Sequence, residues 1–263
     1  MSATSSAPVV AIEALSKDFG GLRAIDNLSL DVRPGEILGI VGPNGAGKSV
    51  LINLITGFYR ASAGTIRFKG HDISAMPRHQ ISRLGITRTF QNIRLFRRMS
   101  VLENVLVANK RHAISPFASL FGFARKDRDI EQAMECIELM GLTARCNQLA
   151  GTLAYGDARR LEIARALAGE PRLILLDEPA AGMNEEETAA LIDDVRASRA
   201  RVEAIVLVEH DMTLIRALSD RMVAIDYGRK MAEGTTEEVF ADPIFNQAYL
   251  GLEADAHTAR ATR

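Results

Sequence analysis

The chain has 263 residues, 47% of them hydrophobic and 25% charged, enough for one sizeable core with a smaller lobe attached. A net charge of −1 and a pI near 6.5 give no global electrostatic reason to bind nucleic acid. No apolar run approaches the roughly eighteen residues that span a bilayer, so any membrane role is expected to be peripheral. Residues Met1 to Pro8 carry neither a basic segment nor a long apolar stretch, which argues against an export signal and for a cytoplasmic protein.

Strand patterns dominate the first third of the chain: Val9 to Leu15, Ile25 to Val32, Ile37 to Val41 and Thr65 to Phe68, with turns at Gly20-Gly21, Pro34-Gly35 and Gly70. Phe19, just before the first turn, suits either stacking on an adenine face or a half-buried strand position. Ile37 to Val41 is a continuous apolar run, as in a strand buried on both faces. It leads into Gly42-Pro43-Asn44-Gly45-Ala46-Gly47-Lys48-Ser49, which meets the G-x-x-x-x-G-K-[ST] spacing of a phosphate cradle. Val50, Leu51, Leu54 and Ile55 then recur at helical spacing until Gly57. A strand, a glycine turn and a helix start gather backbone N–H groups and the positive end of a helix dipole at one point, where a polyphosphate can sit.

Arg78 to Gly85 reads as a short helix, and Thr87 to Asn92 as a polar-aromatic connection containing Gln91. Between residues 94 and 151 the character turns helical, with periodic runs over Val101 to Lys110 and Ile130 to Met140 and a stop at Gly141. The stretch from His112 to Arg128, with Phe117, Phe121 and Phe123 among basic residues, reads as a loop whose aromatics tuck into this lobe, the alternative being a membrane-surface or partner contact. Cys136 and Cys146 lack C-x-x-C spacing and read as ordinary helical residues. Leu153-Ala154-Tyr155-Gly156-Asp157 precedes a helix over Ala158 to Ala168, with Asp157 expected to cap it. An apolar strand from Arg172 then delivers Asp177 and Glu178 at its C-terminal end, the edge where ligands bind in open parallel sheets. A helix over Glu185 to Arg199 and a strand over Ala204 to Val208 follow, the strand ending in Glu209-His210-Asp211. A helix to Leu218, a strand over Met222 to Ile225, a turn at Asp226-Tyr227-Gly228 and a capping box of Thr235 with Glu238 complete the pattern, and the last dozen residues read as frayed.

These parts suit Mg-dependent phosphoryl transfer to water. Lys48 would neutralise phosphate oxygens, Ser49 would bind Mg²⁺ and Asp177 would hold the metal through water. Glu178 is the candidate general base or water-orienting group, and His210 the candidate contact to the γ-phosphate.

The order of Gly42 to Ser49, Gln91, Leu153 to Asp157, Asp177-Glu178 and His210 resembles the ATP-binding cassette ATPases over nearly the whole chain. The resemblance implies an α/β P-loop cassette with a β-rich N-terminal subdomain and an inserted helical subdomain. The expected boundaries are 1–93 with 152–240 for the ATP-binding core, 94–151 for the helical lobe and 241–263 for a C-terminal extension. It also implies Phe19 against adenine, the backbone of residues 42–49 and Val50 around the phosphates, and Gln91 as a further Mg²⁺ ligand that links the γ-phosphate to the membrane-facing surface. Ala154, Tyr155, Gly156 and Asp157 would cap a nucleotide bound by a facing subunit.

Finer runs, Arg88-Thr89-Phe90-Gln91-Asn92-Ile93-Arg94-Leu95-Phe96, the form Leu153-Ala154-Tyr155-Gly156 followed by Arg159-Arg160-Leu161-Glu162-Ile163-Ala164-Arg165, and Glu178-Pro179-Ala180-Ala181-Gly182-Met183-Asn184, resemble the longer ATPase of branched-chain amino acid importers. That implies a second ATPase, as heterodimer or homodimer, two membrane permeases, a periplasmic binding protein and a place on the cytoplasmic face of the inner membrane. An ATPase of a related export or lipid-extraction system is the near alternative, and a soluble non-transport cassette the more distant one. Ala154 for Ser, Tyr155 for Gly, Asp157 for Gln and Val50 for Thr depart from the general pattern. Ala154 and Asp157 imply that the site this chain completes is the slower one.

Overall fold

Residues 7–108 and 123–250 are described by the computed structural model, and they divide into two compact units. One runs up to Ser82 and resumes at Ala204, and the other is Arg83–Glu203.

In the first unit β1 (Val10–Phe19) and β2 (Leu22–Val32) form an antiparallel hairpin around Gly20-Gly21, with β4 (Ala63–Phe68) on the other edge of β1 and β5 (His71–Asp72) beyond it. The register slips between Ile12 and Leu15, where Ala14 adopts φ 49°, so Ile12 and Leu15 both point inward despite their odd spacing. That bulge is why simple alternation ends there, and both hairpin strands run on toward the turn, further than their apolar runs suggest. The second sheet of this unit centres on β3 (Ile37–Val41), parallel to β8 (Ala204–Val208) on one side and to β9 (Arg221–Asp226) on the other, with β10 (Arg229–Gly234) antiparallel to β9. Every residue of β3 and β8 is buried, which accounts for their unbroken apolar runs. The mostly polar β10 follows the tight turn at Tyr227-Gly228 and has no run of its own to reveal it. Helices α1 (Lys48–Ile55) and α7 (Met212–Leu218) follow β3 and β8. Asp211 caps α7 by accepting from the amide of Thr213 at 2.8 Å. The expected capping box of Thr235 and Glu238 opens α8 (Thr236–Ala241), and α9 (Pro243–Phe245) with a π-helical turn over Asn246–Leu250 ends the described chain.

In the second unit β6 (Ile86–Arg88) pairs in parallel with β7 (Leu173–Asp177). Three residues are too few for a periodic signal, so the sequence reads this stretch as connection. Helices α3 (Val101–Leu106), α4 (Phe123–Leu139) and α5 (Tyr155–Ala168) pack on one another around Val105, Ile137 and Leu161. α6 (Glu185–Ser198) completes the set, and α2 (Arg78–Leu84) begins in the first unit and ends in the second. α4 begins within the stretch read as a loop, seven residues ahead of the periodic run that starts at Ile130; the part around Phe117 and Phe121 lies outside the described residues. α5 starts three residues earlier than its periodicity indicates. Among the described residues no helix is long and apolar enough to cross a membrane.

Candidate functional site

The phosphate loop is held open by close backbone approaches that exclude side chains. A Cβ on Gly42 would lie 2.2 Å from the carbonyl oxygen of Ile225, and one on Gly47, at φ 104°, would lie 2.7 Å from that of Ala24. The amide of Gly228 donates to the carbonyl of Ala46 at 2.9 Å, while the carbonyl of Gly228 accepts from the amide of Asp26. The β9–β10 turn therefore ties the loop to β2. Lys48 is 6% exposed, and its ammonium donates to the carbonyls of Gly42 at 2.5 Å and Pro43 at 3.1 Å. Asn44, Gly45 and Ser49 are exposed, Pro43 and Val50 partly so, and Ala46 is buried beneath the loop. This is a concave backbone rim with one cation folded back upon it, at the start of α1.

In the same unit Phe19 ends β1 with 38% of its surface exposed, edge-on to Tyr59 at 5.0 Å and under the ammonium of Lys17 at 4.8 Å. His210 follows β8, largely exposed, with its Nδ1 3.7 Å from the buried carboxylate of Glu209.

The second unit carries the carboxylates. Asp177 ends β7 at 5% exposure, and its Oδ2 receives Arg88 Nη2 at 2.8 Å. The parallel register of β6 and β7, with Arg88 opposite Leu175, brings that guanidinium to the strand end. Glu178 has φ 47°, a left-handed conformation that a non-glycine residue adopts only when its surroundings impose it, and it turns the chain sharply out of β7. Its Oε2 accepts from Gln91 Nε2 at 2.6 Å. Gln91 thus meets a carboxylate predicted for catalysis, although 87 residues separate them.

What fixes Gln91 is a buried arginine in α5. Arg159 is wholly buried, and donates from Nη1 to the carbonyl of Phe90 and to Glu162 Oε2, and from Nη2 to the carbonyl of Gln91, each at 2.7 Å. Burial pushes the carboxyl of Glu162 above the ordinary carboxylate range, only partly offset by Arg159. The guanidiniums of Arg88 and Arg94 both lie over the ring of Phe90, at 4.9 and 4.3 Å from its centre.

At the head of α5 the N-cap position is Ala154, which has no side chain to cap with, so Asp157 does not take the expected capping role. It sits in the first turn and pairs with Arg145 at 2.9 Å, favourably placed toward the helix dipole. Gly156 is buried, and a Cβ there would come within 2.7 Å of the Glu187 carboxylate. The Tyr155 hydroxyl donates to the carbonyl of Ala181 at 2.7 Å. A cavity of about 200 Å³ opens here, lined by Ala154, Gly156, Asp157, Arg160, Met183 and Glu187 among others.

The family model for the ABC transporter matches residues 25–181, more than half of the chain. The chain belongs to that family. As an ABC protein it is 43% identical to the high-affinity branched-chain amino acid transport ATP-binding protein BraF of Pseudomonas aeruginosa, with 94% of this chain and 99% of that protein covered. To LivG of Salmonella typhimurium and of Escherichia coli, which carry the same description, identity is 42% and 41% with the same coverage. The ADP conformation of MJ1267, an ATP-binding cassette of an ABC transporter, superposes with a TM-score of 0.82 at 32% identity, covering 94% of this chain and all of the other. A nucleotide-free ATP-binding cassette from an ABC transporter gives 0.80 at 32% identity. The α/β P-loop cassette expected from the motifs is therefore the fold of this chain.

Within the cassette, sequence reasoning missed Arg88, Arg159, Glu162 and Glu187. A signal did exist for the last: Asn184 and Glu187 have capping-box spacing, and the Asn184 side chain accepts from the amide of Glu187 at 2.8 Å. Arg159 and Glu162 look like any solvated charges three apart on a helix, and only the tertiary structure shows them buried.

Proposed function

We propose that this chain is the ATP-hydrolysing subunit of an importer for branched-chain or related amino acids, bound to the cytoplasmic face of the membrane through two permease subunits. The observation that carries the reading is the 41–43% identity to BraF and LivG over nearly full length, on a chain that keeps Lys48, Asp177, Glu178 and His210. The roles follow from chemistry. The loop amides and Lys48 bind the polyphosphate, and Phe19 offers a face to the base. Glu178, oriented by Gln91, takes a proton from the attacking water, and His210 serves the γ-phosphate.

Mg²⁺ suits this donor set. The Ser49 hydroxyl, the Asp177 carboxylate and the Gln91 amide carbonyl are hard oxygen donors, one of them a carboxylate, which Mg²⁺ supplements with phosphate and water. Ser49 and Asp177, with Gln91, would hold the ion, which supplies charge neutralisation of the phosphate oxygens. The start of α5 around Gly156 serves a nucleotide on a facing ATPase, either a second copy or a different chain. With Asp157 adding a carboxylate there, a heterodimer with a fuller partner signature is the better engine.

The test is reconstitution in vesicles with the neighbouring permeases and a binding protein loaded with leucine. ATP turnover stimulated by the loaded binding protein, with leucine uptake, is the expected result. Co-assembly with permeases that move a lipid outward instead would replace this reading with the export one.

A further inference from the structure

The carbonyl of Gly42, the first of the phosphate loop, accepts from two donors. One is Lys48 Nζ at 2.5 Å, and the other is the hydroxyl of Tyr249 at 3.2 Å, from the far end of the described chain. Tyr249 is held for that contact. Its ring is 8% exposed and stacks on the fully buried Phe245 at 5.3 Å and 16°, and Phe245 meets Phe240 edge-on at 5.8 Å. The guanidinium of Arg216 in α7 covers Phe240 at 4.1 Å, and Asn246 Nδ2 donates to the carbonyl of Phe240 at 2.9 Å. Three aromatic rings and two polar contacts thus aim one hydroxyl at one carbonyl.

We propose that Tyr249 is a positioning residue for nucleotide binding, the donor that keeps the Gly42 carbonyl satisfied when Lys48 turns to a bound polyphosphate. The inference rests on the reading of residues 42–49 as the nucleotide site. In the present geometry the ammonium of Lys48 is folded onto the loop's own carbonyls. To reach a phosphate it must leave them, and a buried acceptor that loses its donor penalises that move. Tyr249 removes part of the penalty at Gly42, so its hydroxyl matters more with nucleotide bound than without. A contact serving only the fold would contribute equally in both states.

The experiment compares the full-length wild type with Tyr249→Phe, Lys48→Ala and Lys48→Ala/Tyr249→Phe, by calorimetric titration with Mg-ATP and by thermal unfolding without nucleotide. Phe keeps the stacked ring and removes only the donor. Tyr249→Phe should weaken Mg-ATP binding about three- to tenfold, the range one hydrogen bond sets, with the nucleotide-free midpoint unchanged. In the Lys48→Ala background, where Gly42 already depends on Tyr249, the same substitution should lower that midpoint. Wild-type affinity in Tyr249→Phe, with binding lost in Lys48→Ala, overturns the inference and leaves the nucleotide site standing. Wild-type affinity in both variants removes the nucleotide site itself. A midpoint that falls equally in both backgrounds makes the hydroxyl a plain fold contact, and also overturns the inference.

Discussion

Replacing Arg159 with Met keeps the volume and helix preference of the side chain but deletes its charge and its donors. The structure sets the size of the effect. Glu162, 2% exposed, loses its counter-charge, and the carbonyls of Phe90 and Gln91 lose donors at 2.7 Å. Breaking a buried ion pair from one side costs about 3–5 kcal/mol, and an orphaned buried carbonyl about 1–3 kcal/mol before relaxation. Protonation of Glu162, whose carboxyl burial already favours neutral, relieves part of this. We therefore expect a loss of about 4 kcal/mol, a large share of the roughly 5–15 kcal/mol that folded domains possess. Urea unfolding followed by circular dichroism measures it. The double variant Arg159→Met/Glu162→Leu removes both charges and should recover about half the loss, since the two carbonyls stay without their donor. ATP turnover should fall in both variants, because Gln91 then no longer holds Glu178. A single-variant loss below about 1 kcal/mol, or a double variant less stable than the single, would show that Arg159 does not anchor Glu162 and the two carbonyls.

Two further consequences follow from neighbouring contacts. Because burial raises the carboxyl of Glu162, the folded state binds its proton more tightly than the unfolded chain. That contribution is complete below the ordinary carboxylate range and is lost as pH rises through the raised value. Urea midpoints of Glu162→Gln against pH should accordingly decline less steeply with rising pH than those of wild type, and parallel curves would contradict this. Gly228→Ala places a methyl 2.5 Å from the carbonyl oxygen of Ala24 at φ 75°, and should cost about 2–3 kcal/mol while weakening Mg-ATP binding through the Ala46 contact. Unchanged unfolding and titration curves would show that the turn does not brace the loop.

The local parts of the site were legible because local chemistry dictates them. Gly42 to Ser49 needs small residues where backbones approach within van der Waals contact, so its spacing survives in the sequence. The wholly buried β3, β7 and β8 announce themselves as apolar runs, and Thr235 with Glu238 as a capping box. Long-range pairings left no such trace. Arg88 and Asp177 lie 89 positions apart and meet only through strand register, and Arg221 gathers Glu36, Asp31 and Glu233 from across its unit. Burial of a charge depends on what packs over it, and a helix sequence such as that around Arg159 does not carry that information. Tyr249 reads as a tail residue until its hydroxyl is seen against the phosphate loop.

A triphosphate gripped by the loop around Lys48 is expected to join two cassettes face to face, with Glu178 ending the union by hydrolysis. The decisive measurement is sedimentation of Glu178→Gln with Mg-ATP, alone and mixed with its partner ATPase. An ATP-dependent shift from monomer to a lasting dimer, abolished by adding Lys48→Ala, is the predicted result. Monomer throughout at saturating Mg-ATP in both preparations, or a dimer that forms equally without Lys48, would contradict it.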